Sequence, residues 1–399
     1  MKLSRPLNIV LLTTVRFNNS KGGTEKAMIG FANAMADRGH TISIVFRDVN
    51  GSTPGYPLND SVKLCNCANV KTPLLLSGLF RTIRSVSLNR CTFHKKNAYL
   101  KLKALSTRFS PILKSIPADI YVTYEPKLSC MLVHELGVTK PIITTLHFAP
   151  SYIEKRIDSK WLLPLLSNKS IIQVLTDEYV PEIKKIIPNS RIVSIPNPVE
   201  INRECSDLNT PLIINVGTLT TRKHQDLLIS AFALLHKEFP SWKIELWGES
   251  GLRTSNEKLL NHLIQKNNLS NVVSICGTTN NVSSKLSSAS IFAFPSTQEG
   301  FPLALLEAMS AGLACIGLVS CPGVDGLIVN EQNGLLSKDN PEDFAACLKR
   351  LMIDYELRKK LSKNARATVL KFSPQTVYDM WKDLLYSSIS SNNQYKIEN

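Results

Sequence analysis

The sequence predicts an α/β protein built as two domains, and three observations carry that expectation. Short apolar runs alternate with amphipathic helical stretches along most of the chain. The 399 residues are many for one core and comfortable for two. A polar stretch from Glu200 to Thr210 interrupts the alternation near the middle and reads as a linker, which sets the expected domains at 1–199 and 200–374. The remainder, 375–399, reads as a terminal helix crossing back, around Trp381 to Leu385, and a polar tail from Ser387.

Within the first domain, Ile9 to Thr13 reads as a strand, Lys21 to Glu25 as a turn through Gly22 and Gly23, and Ala27 to Arg38 as a helix. That helix places Met28, Phe31, Ala32 and Met35 on one face, and Gly39 and His40 end it. Ile42 to Phe46 is the next strand, completing a βαβ unit. Ile142 to Leu146 and Ile171 to Leu175 are further strands, with a short helix from Val180 to Ile187 and a strand from Ile192 to Ile195. His147 stands at the carboxyl end of one of these strands, where a lone histidine serves either as a structural hydrogen-bonding group or as a ligand contact.

The second domain opens with the strand Leu212 to Val216, then Gly217 and a basic turn with Arg222 and Lys223, then a helix through Leu227, Leu228, Ala231, Phe232 and Leu235. A strand, a glycine and a basic turn before a helix suit a phosphate, because amide groups and the helix dipole add fixed partial charge to the lysine. A solvated Arg-Lys pair is the plainer alternative. Ile244 to Trp247 and Val272 to Ile275 are strands ending at Gly248 and Gly277. Later, Ala314 to Leu318 is a strand, and helices run from Pro341 to Met352 and from Tyr355 to Val369.

Chemistry concentrates in Pro295 to Met309, PSTQEGFPLALLEAM, which follows the apolar strand Ile291 to Phe294. Pro295, Ser296 and Gly300 break the strand, and a helix begins near Pro302, where a missing N–H costs least. Amides around Gly300, Phe301 and Leu303 are then expected to face the crevice where open α/β sheets bind ligands. Glu299 and Glu307 are eight positions apart. A helix starting near Pro302 places Glu307 roughly 7–8 Å along its axis. Carboxylates are rarely buried alone, so a polar ligand is the expected partner. A carboxylate that accepts two hydrogen bonds suits a vicinal diol, and two sugar rings joined by a diphosphate offer such diols at both ends.

The segment Glu299 to Glu307, EGFPLALLE, resembles the E-x7-E motif of the retaining glycosyltransferases of family 4. The likeness runs from about Leu7 to Pro374 and is most specific in the C-terminal half. It implies two Rossmann-like domains facing across a cleft, the GT-B fold, with an acceptor-binding first domain and a nucleotide-sugar-binding second one. Carried over, Glu299 contacts the transferred sugar and Glu307 the ribose, with the amides of Gly300, Phe301 and Leu303 near the donor. Gly22 and Gly23 fall on the family's N-terminal glycine loop, His147 of TLHF faces the donor sugar, and backbone near Gly277 and Thr278 lies close to the base. Lys223 falls on the family's diphosphate-binding lysine, while Thr218 replaces the arginine that the family places beside it, and Arg222 is expected to substitute for that arginine from the adjacent position. Asn333 to Leu336 is similar to the family's NGLL segment. With no D-x-D triplet, the expectation is a metal-independent enzyme without cofactor that takes a nucleotide diphosphate sugar, UDP-linked in preference to GDP-linked. Front-face attack is the mechanism commonly proposed for the family, which makes Glu299 a positioning group. Glu299→Ala is then expected to abolish transfer with the melting temperature nearly intact.

A net charge of +15 and a pI near 9.4 ask for an anionic partner. Between Asp60 and Asp119 there is no acidic residue, while Lys63, Lys71, Arg81, Arg84, Arg90, Lys95, Lys96, Lys101, Lys103, Arg108 and Lys114 are interleaved with leucines and Phe80. That mixture reads as a surface lying on anionic membrane, suited to a lipid-linked acceptor; solvated helices are the alternative. Nucleic acid is not expected, because no recognition signature is present and the aromatics are not interleaved with the charges. A non-catalytic nucleotide-sugar sensor remains the rival class. No apolar run is long enough to span a bilayer. The start, MKLSRPLNIVLLTT, mimics a signal peptide but continues into the first strand without a small-residue cleavage site. Nine scattered cysteines, with Cys65 and Cys67 too isolated for a metal site, are expected as reduced thiols. The expected location is cytoplasmic, at the inner face of the membrane.

Overall fold

The computed structural model describes residues 5–14, 22–49, 51–68, 90–150, 161–250 and 255–394. It divides into two units, Met1–Pro196 with Val377–Asn399, and Asn197–Thr376. The first runs β1 (Asn8–Thr13), α1 (Gly23–Asp37), β2 (Thr41–Phe46), β3 (Lys63–Asn66), α2 (Arg90–Ser115), β4 (Ile120–Thr123), α3 (Pro126–Cys130), β5 (Ile142–Thr145), β6 (Ile171–Val174), α4 (Tyr179–Ile186) and β7 (Ile192–Ser194). Its strands form one parallel sheet in the order β3-β2-β1-β4-β5-β6-β7. Alternation along β1 sends Val10 and Leu12 to one face and Ile9 and Leu11 to the other. Leu102, Phe109 and Leu113 of α2 cover the first face. Met28, Phe31 and Met35 of α1 cover the second, together with Val377, Trp381 and Leu385 from the end of the chain. Burying a side chain of this size contributes about 1.5–3 kcal/mol, which is why both faces of a parallel sheet read as apolar.

The second unit runs β8 (Leu212–Val216), α5 (Gln225–Ala233), β9 (Lys243–Trp247), α6 (Glu257–Lys266), β10 (Val273–Gly277), α7 (Val282–Ser287), β11 (Ile291–Phe294), α8 (Leu303–Ser310), β12 (Ala314–Leu318), β13 (Leu335–Ser337), α9 (Pro341–Ile353), α10 (Tyr355–Val369) and α11 (Pro374–Gln394), which passes into the first unit at Val377. The sheet is parallel, in the order β10-β9-β8-β11-β12-β13. The expected α/β architecture with two parallel sheets is therefore present.

Several elements differ from expectation. α1 begins at Gly23, so Gly23, Thr24 and Glu25 are helical and only Gly22 caps the turn; residues 15–21, including Lys21, lie outside the described residues. The terminal helix runs from Pro374 to Gln394, well past Trp381 to Leu385 and through the start of the supposed tail. Its apolar residues pack on α1, with Trp381 edge-on to Phe31 at 4.9 Å. The polar stretch 200–210 lies along the second unit. Asn202 N–H donates to Ser310 Oγ at 2.7 Å, Ser310 O–H to the Glu200 carbonyl at 3.0 Å, and Ser206 N–H to the Ala311 carbonyl at 2.9 Å. Its polar groups thus serve the end of α8. Residues 69–89 of the basic segment lie outside the described residues; among the described ones, no helix is long and apolar enough to cross a membrane. Eight described cysteines carry free thiols.

Candidate active site

In the second sheet the chain leaves β8 toward β9 on one side and reaches β11 on the other, so the sheet's switch point lies between β8 and β11. Loops at the carboxyl ends of such a pair diverge and leave a crevice. After β8 come Gly217 and a single turn of 3-10 helix, Thr221–Lys223; after β11 comes the loop from Pro295 to Pro302. These two loops meet. Arg222 carbonyl accepts the Thr297 N–H at 3.0 Å, and Arg222 Nη1 donates to the Gln298 carbonyl at 2.5 Å.

The charged centre of the site follows from this meeting. Lys223 Nζ donates to Glu299 Oε1 at 2.7 Å, and Arg222 Nη1 stands 3.3 Å from Glu299 Oε2. The side chains of Lys223 and Glu299 are 14% and 9% exposed, whereas that of Arg222 is 48% exposed. Lys223 passes its stem along Gly217 and holds its ammonium 5.3 Å from the Phe294 ring centroid. The sequence leads one to expect a ligand as the partner of Glu299; instead, two cations from a turn far earlier in the chain, Lys223 76 positions before it and Arg222 next to Lys223, already face it. Cys321 is buried beside the pair, and desolvation together with the Glu299 charge pushes its thiol up to about 12.

A buried polar network lies behind the centre. Asn215 Nδ2 donates to the Ala293 carbonyl at 2.8 Å, binding β8 to β11. Gln225 Nε2 reaches Asn215 Oδ1 at 3.3 Å and the Thr218 carbonyl at 3.2 Å. Gln225 Oε1, Thr220 Oγ1 and Ser296 Oγ are buried with no hydrogen-bond partner among the described residues. Buried orphans of this kind cost about 1–3 kcal/mol each. Sequence reading misses these residues. Asn215 inside LIINV and Gln225 inside an apolar helix start are the signals available.

Other expected site residues are placed as follows. Leu303 opens α8, but its amide donates to the Phe301 carbonyl at 2.9 Å, so it does not face the crevice as expected. Phe301 is buried with its ring edge-on to Phe372 at 5.6 Å. Gly300 joins Glu299 to Phe301, and Glu307 sits half-buried within α8. Thr218 is exposed at the mouth. Gly277 ends β10 with φ +71°, the left-handed region glycine favours, and exposed Thr278 follows. Gly248 N–H donates to the Gly277 carbonyl at 2.7 Å and Gly217 N–H to the Trp247 carbonyl at 2.9 Å, so the three strand ends are knitted together. A Cβ at Gly248 would lie 2.0 Å from the Gly217 oxygen, so only glycine fits there.

Gly22, Gly23 and His147 belong to the first unit. Its switch point lies between β1 and β4, where Glu125 accepts the Thr14 N–H at 2.7 Å and pairs with Lys127 at 3.2 Å. Gly22 is the N-cap residue of α1. His147 follows β5 and stacks on Tyr124, centroids 5.2 Å apart and rings 11° from parallel. The residue as a whole is half-buried, but both ring nitrogens are shielded and have no hydrogen-bond partner among the described residues. The nitrogens set the protonation, so burial governs and pulls the imidazole down to about 4. His147 is therefore neutral at pH 7, offering one donor and one acceptor.

Residues 198–368 match the family model of the glycosyl transferases group 1. Over most of its length the chain is also similar to curated proteins. An uncharacterized glycosyltransferase of Haemophilus influenzae is 24% identical over 375 residues, covering 92% of this chain and 97% of the relative. The GalNAc-alpha-(1->4)-GalNAc-alpha-(1->3)-diNAcBac-PP-undecaprenol alpha-1,4-N-acetyl-D-galactosaminyltransferase of Campylobacter jejuni is 22% identical over 380 residues, covering 92% and 95%. Among solved structures, the pneumococcal O-GlcNAc transferase GtfA in complex with UDP and GlcNAc superposes with a TM-score of 0.74 at 14% identity, covering 96% of this chain and 99% of that one. The GT-B fold expected from the sequence is thus shown. These two relatives are bacterial glycosyltransferases.

Proposed function

We propose that the chain is a retaining glycosyltransferase of family 4 that moves a hexose or N-acetylhexosamine from a nucleotide diphosphate sugar to a saccharide or lipid-linked acceptor, in the assembly of a bacterial surface polysaccharide, lipopolysaccharide or glycolipid. The observation that carries this is the triad of Lys223, Arg222 and buried Glu299 at the β8/β11 switch point, inside the segment that matches glycosyl transferases group 1. UDP is the favoured nucleotide because the similar solved structure was obtained with UDP and GlcNAc.

In this reading Lys223 and Arg222 take the diphosphate, Glu299 accepts hydrogen bonds from the sugar hydroxyls, and Glu307 accepts them from the ribose. Gly277 and Thr278 border the base, and the loop through Gly300 and Phe301 borders the donor. Lys223 has two demands on its charge, since the phosphates and Glu299 share it. The departing diphosphate is then met by fixed cations without a metal ion. Front-face attack leaves Glu299 as a positioning group. Neutral His147 contacts a sugar hydroxyl, and Gly22 and Gly23 border the reacting groups. Acceptor delivery at the inner face of the membrane falls to the basic 63–114 segment; the Campylobacter relative, whose name includes an undecaprenol diphosphate-linked saccharide, supports a lipid-linked acceptor.

The test is UDP release from UDP-sugars with undecaprenyl-diphosphate-linked saccharides as acceptors, followed by the anomeric configuration of the product. Acceptor-dependent release with retained configuration supports the proposal. Tight UDP binding with no turnover on any such acceptor would turn the reading toward a nucleotide-sugar sensor.

A further inference from the structure

His224 follows Lys223 directly and adopts φ 53° and ψ 37°, the left-handed conformation that L-residues seldom adopt. Such strain persists only where surrounding contacts hold it. Here both ring nitrogens meet a carboxylate. Nε2 lies 2.9 Å from Asp339 Oδ1 and Nδ1 lies 3.2 Å from Asp226 Oδ1. A neutral imidazole has one N–H, whereas two carboxylate acceptors call for two. The geometry therefore fits the imidazolium.

The turn is anchored to two separate segments. Arg222 and Lys223 tie it to Gln298 and Glu299, while His224 ties it to Asp339, in the segment between β13 and α9. Asp226, at the start of α5, is itself fixed by Asn256 Nδ2 at 3.2 Å, from the N-cap of α6. We propose that His224 is a positioning residue for the donor: as an imidazolium bridging Asp226 and Asp339 it fixes the turn that presents Arg222 and Lys223. The inference rests on the donor-site reading above.

The charged groups that act on the ring are Asp226 and Asp339. The hydrogen bond to Asp226 is the largest influence and raises its pKa, Asp339 adds to that, and burial opposes them. Asn256 carries no charge, and the ammonium of Lys223 is directed to Glu299. Donor affinity is then full where His224 is charged and weakens as pH rises through its midpoint.

The experiment follows histidine ring resonances of the full chain from pH 5 to 9, assigns His224 by its loss in His224→Asn, and measures UDP affinity by calorimetry across the same range. The expected result is a His224 midpoint above the ordinary value of about 6.5, lowered in Asp339→Asn and restored in Asp339→Glu. UDP should bind about fivefold more weakly to Asp339→Asn at a pH of about 6.5, the size of one partly exposed charge pair. In turnover the change should fall on KM with kcat nearly unchanged. A His224 midpoint at or below the ordinary value overturns the inference, as does equal UDP affinity in wild type and Asp339→Asn. A wild-type chain that binds no UDP at any pH overturns instead the donor-site reading beneath it.

Discussion

Removing the ammonium of Lys223 while keeping its stem isolates the charge pairing at the site. In Lys223→Met, Glu299 keeps its 9% exposure but loses a 2.7 Å partner and is left with Arg222 at 3.3 Å, on a half-exposed side chain. Breaking a fully buried pair costs about 3–5 kcal/mol and an exposed one about 0.2–1 kcal/mol. This pair lies between, with a residual cation, so the expected loss is about 2 kcal/mol. Glu299→Gln leaves two cations facing an amide and is expected to cost about 1–2 kcal/mol, because Lys223 is almost as buried as its partner. The double variant should be less destabilised than the sum by about 1–2 kcal/mol. Urea denaturation followed by fluorescence, in a Trp161→Phe, Trp381→Phe background that leaves Trp242 and Trp247, reads the cycle in the second unit. A coupling below about 0.3 kcal/mol, within the scatter of independent sites, would refute the reasoning. On the same reasoning Glu299→Ala is expected to lower the melting temperature, by about 2–4 °C per kcal/mol lost for a domain of this size.

His147 predicts an acid-labile first unit. Its folded pKa, about 4, lies below the ordinary 6.5, so the unfolded chain binds the proton first. Stability should be flat above a pH of about 6.5 and fall toward about pH 4, by up to about 3 kcal/mol in all, since each pH unit between those two values weakens the fold by about 1.4 kcal/mol. Chemical denaturation at a series of pH values should show this slope, and His147→Gln should reduce it, leaving the smaller contribution of His40, whose pKa burial also lowers. Gly248→Ala should cost several kcal/mol or abolish folding, since its Cβ would sit 2.0 Å from the Gly217 oxygen; a variant within about 1 kcal/mol of wild type by denaturation would contradict the close approach. Buried Arg358 donates to the carbonyls of Leu208, Leu351 and Met352 and packs on Trp242 and Tyr355. Arg358→Lys should cost about 2–3 kcal/mol in the same assay, because an ammonium cannot reproduce the planar fork.

Residues whose role is local are legible in the sequence. Proline, glycine and apolar spacing locate β11, its loop and α8, and the glycine-and-basic turn locates Lys223. Pairings across long separations are not legible. Nothing in local pattern says that Glu299 meets Lys223, or that His224 reaches Asp339 115 positions away. β4 and β13, of four and three residues, are not read, although β11 and β7 of the same lengths are, so length alone does not set the limit. α6 is legible in principle, since Leu260 and Ile264 stand one turn apart on its buried face. α11 is underestimated because its apolar residues pack on α1, a partner far away in the chain. Leu303 shows the remaining limit: its position at a helix start is readable, but the carbonyl that occupies its amide is not.

The central claim is that the crevice of the second unit grips a nucleotide diphosphate sugar, with Lys223 on the diphosphate and Glu299 on the sugar. Calorimetric titration with UDP and with UDP-GlcNAc, UDP-GalNAc and UDP-glucose on wild type, Lys223→Met and Glu299→Gln separates the two roles. Lys223→Met should weaken UDP and the best UDP-sugar alike, by about tenfold, the scale of a lost charge-assisted contact. Glu299→Gln should bind UDP as wild type does while losing the preference for the sugar-bearing ligand. Unchanged binding of every ligand in both variants would contradict the claim.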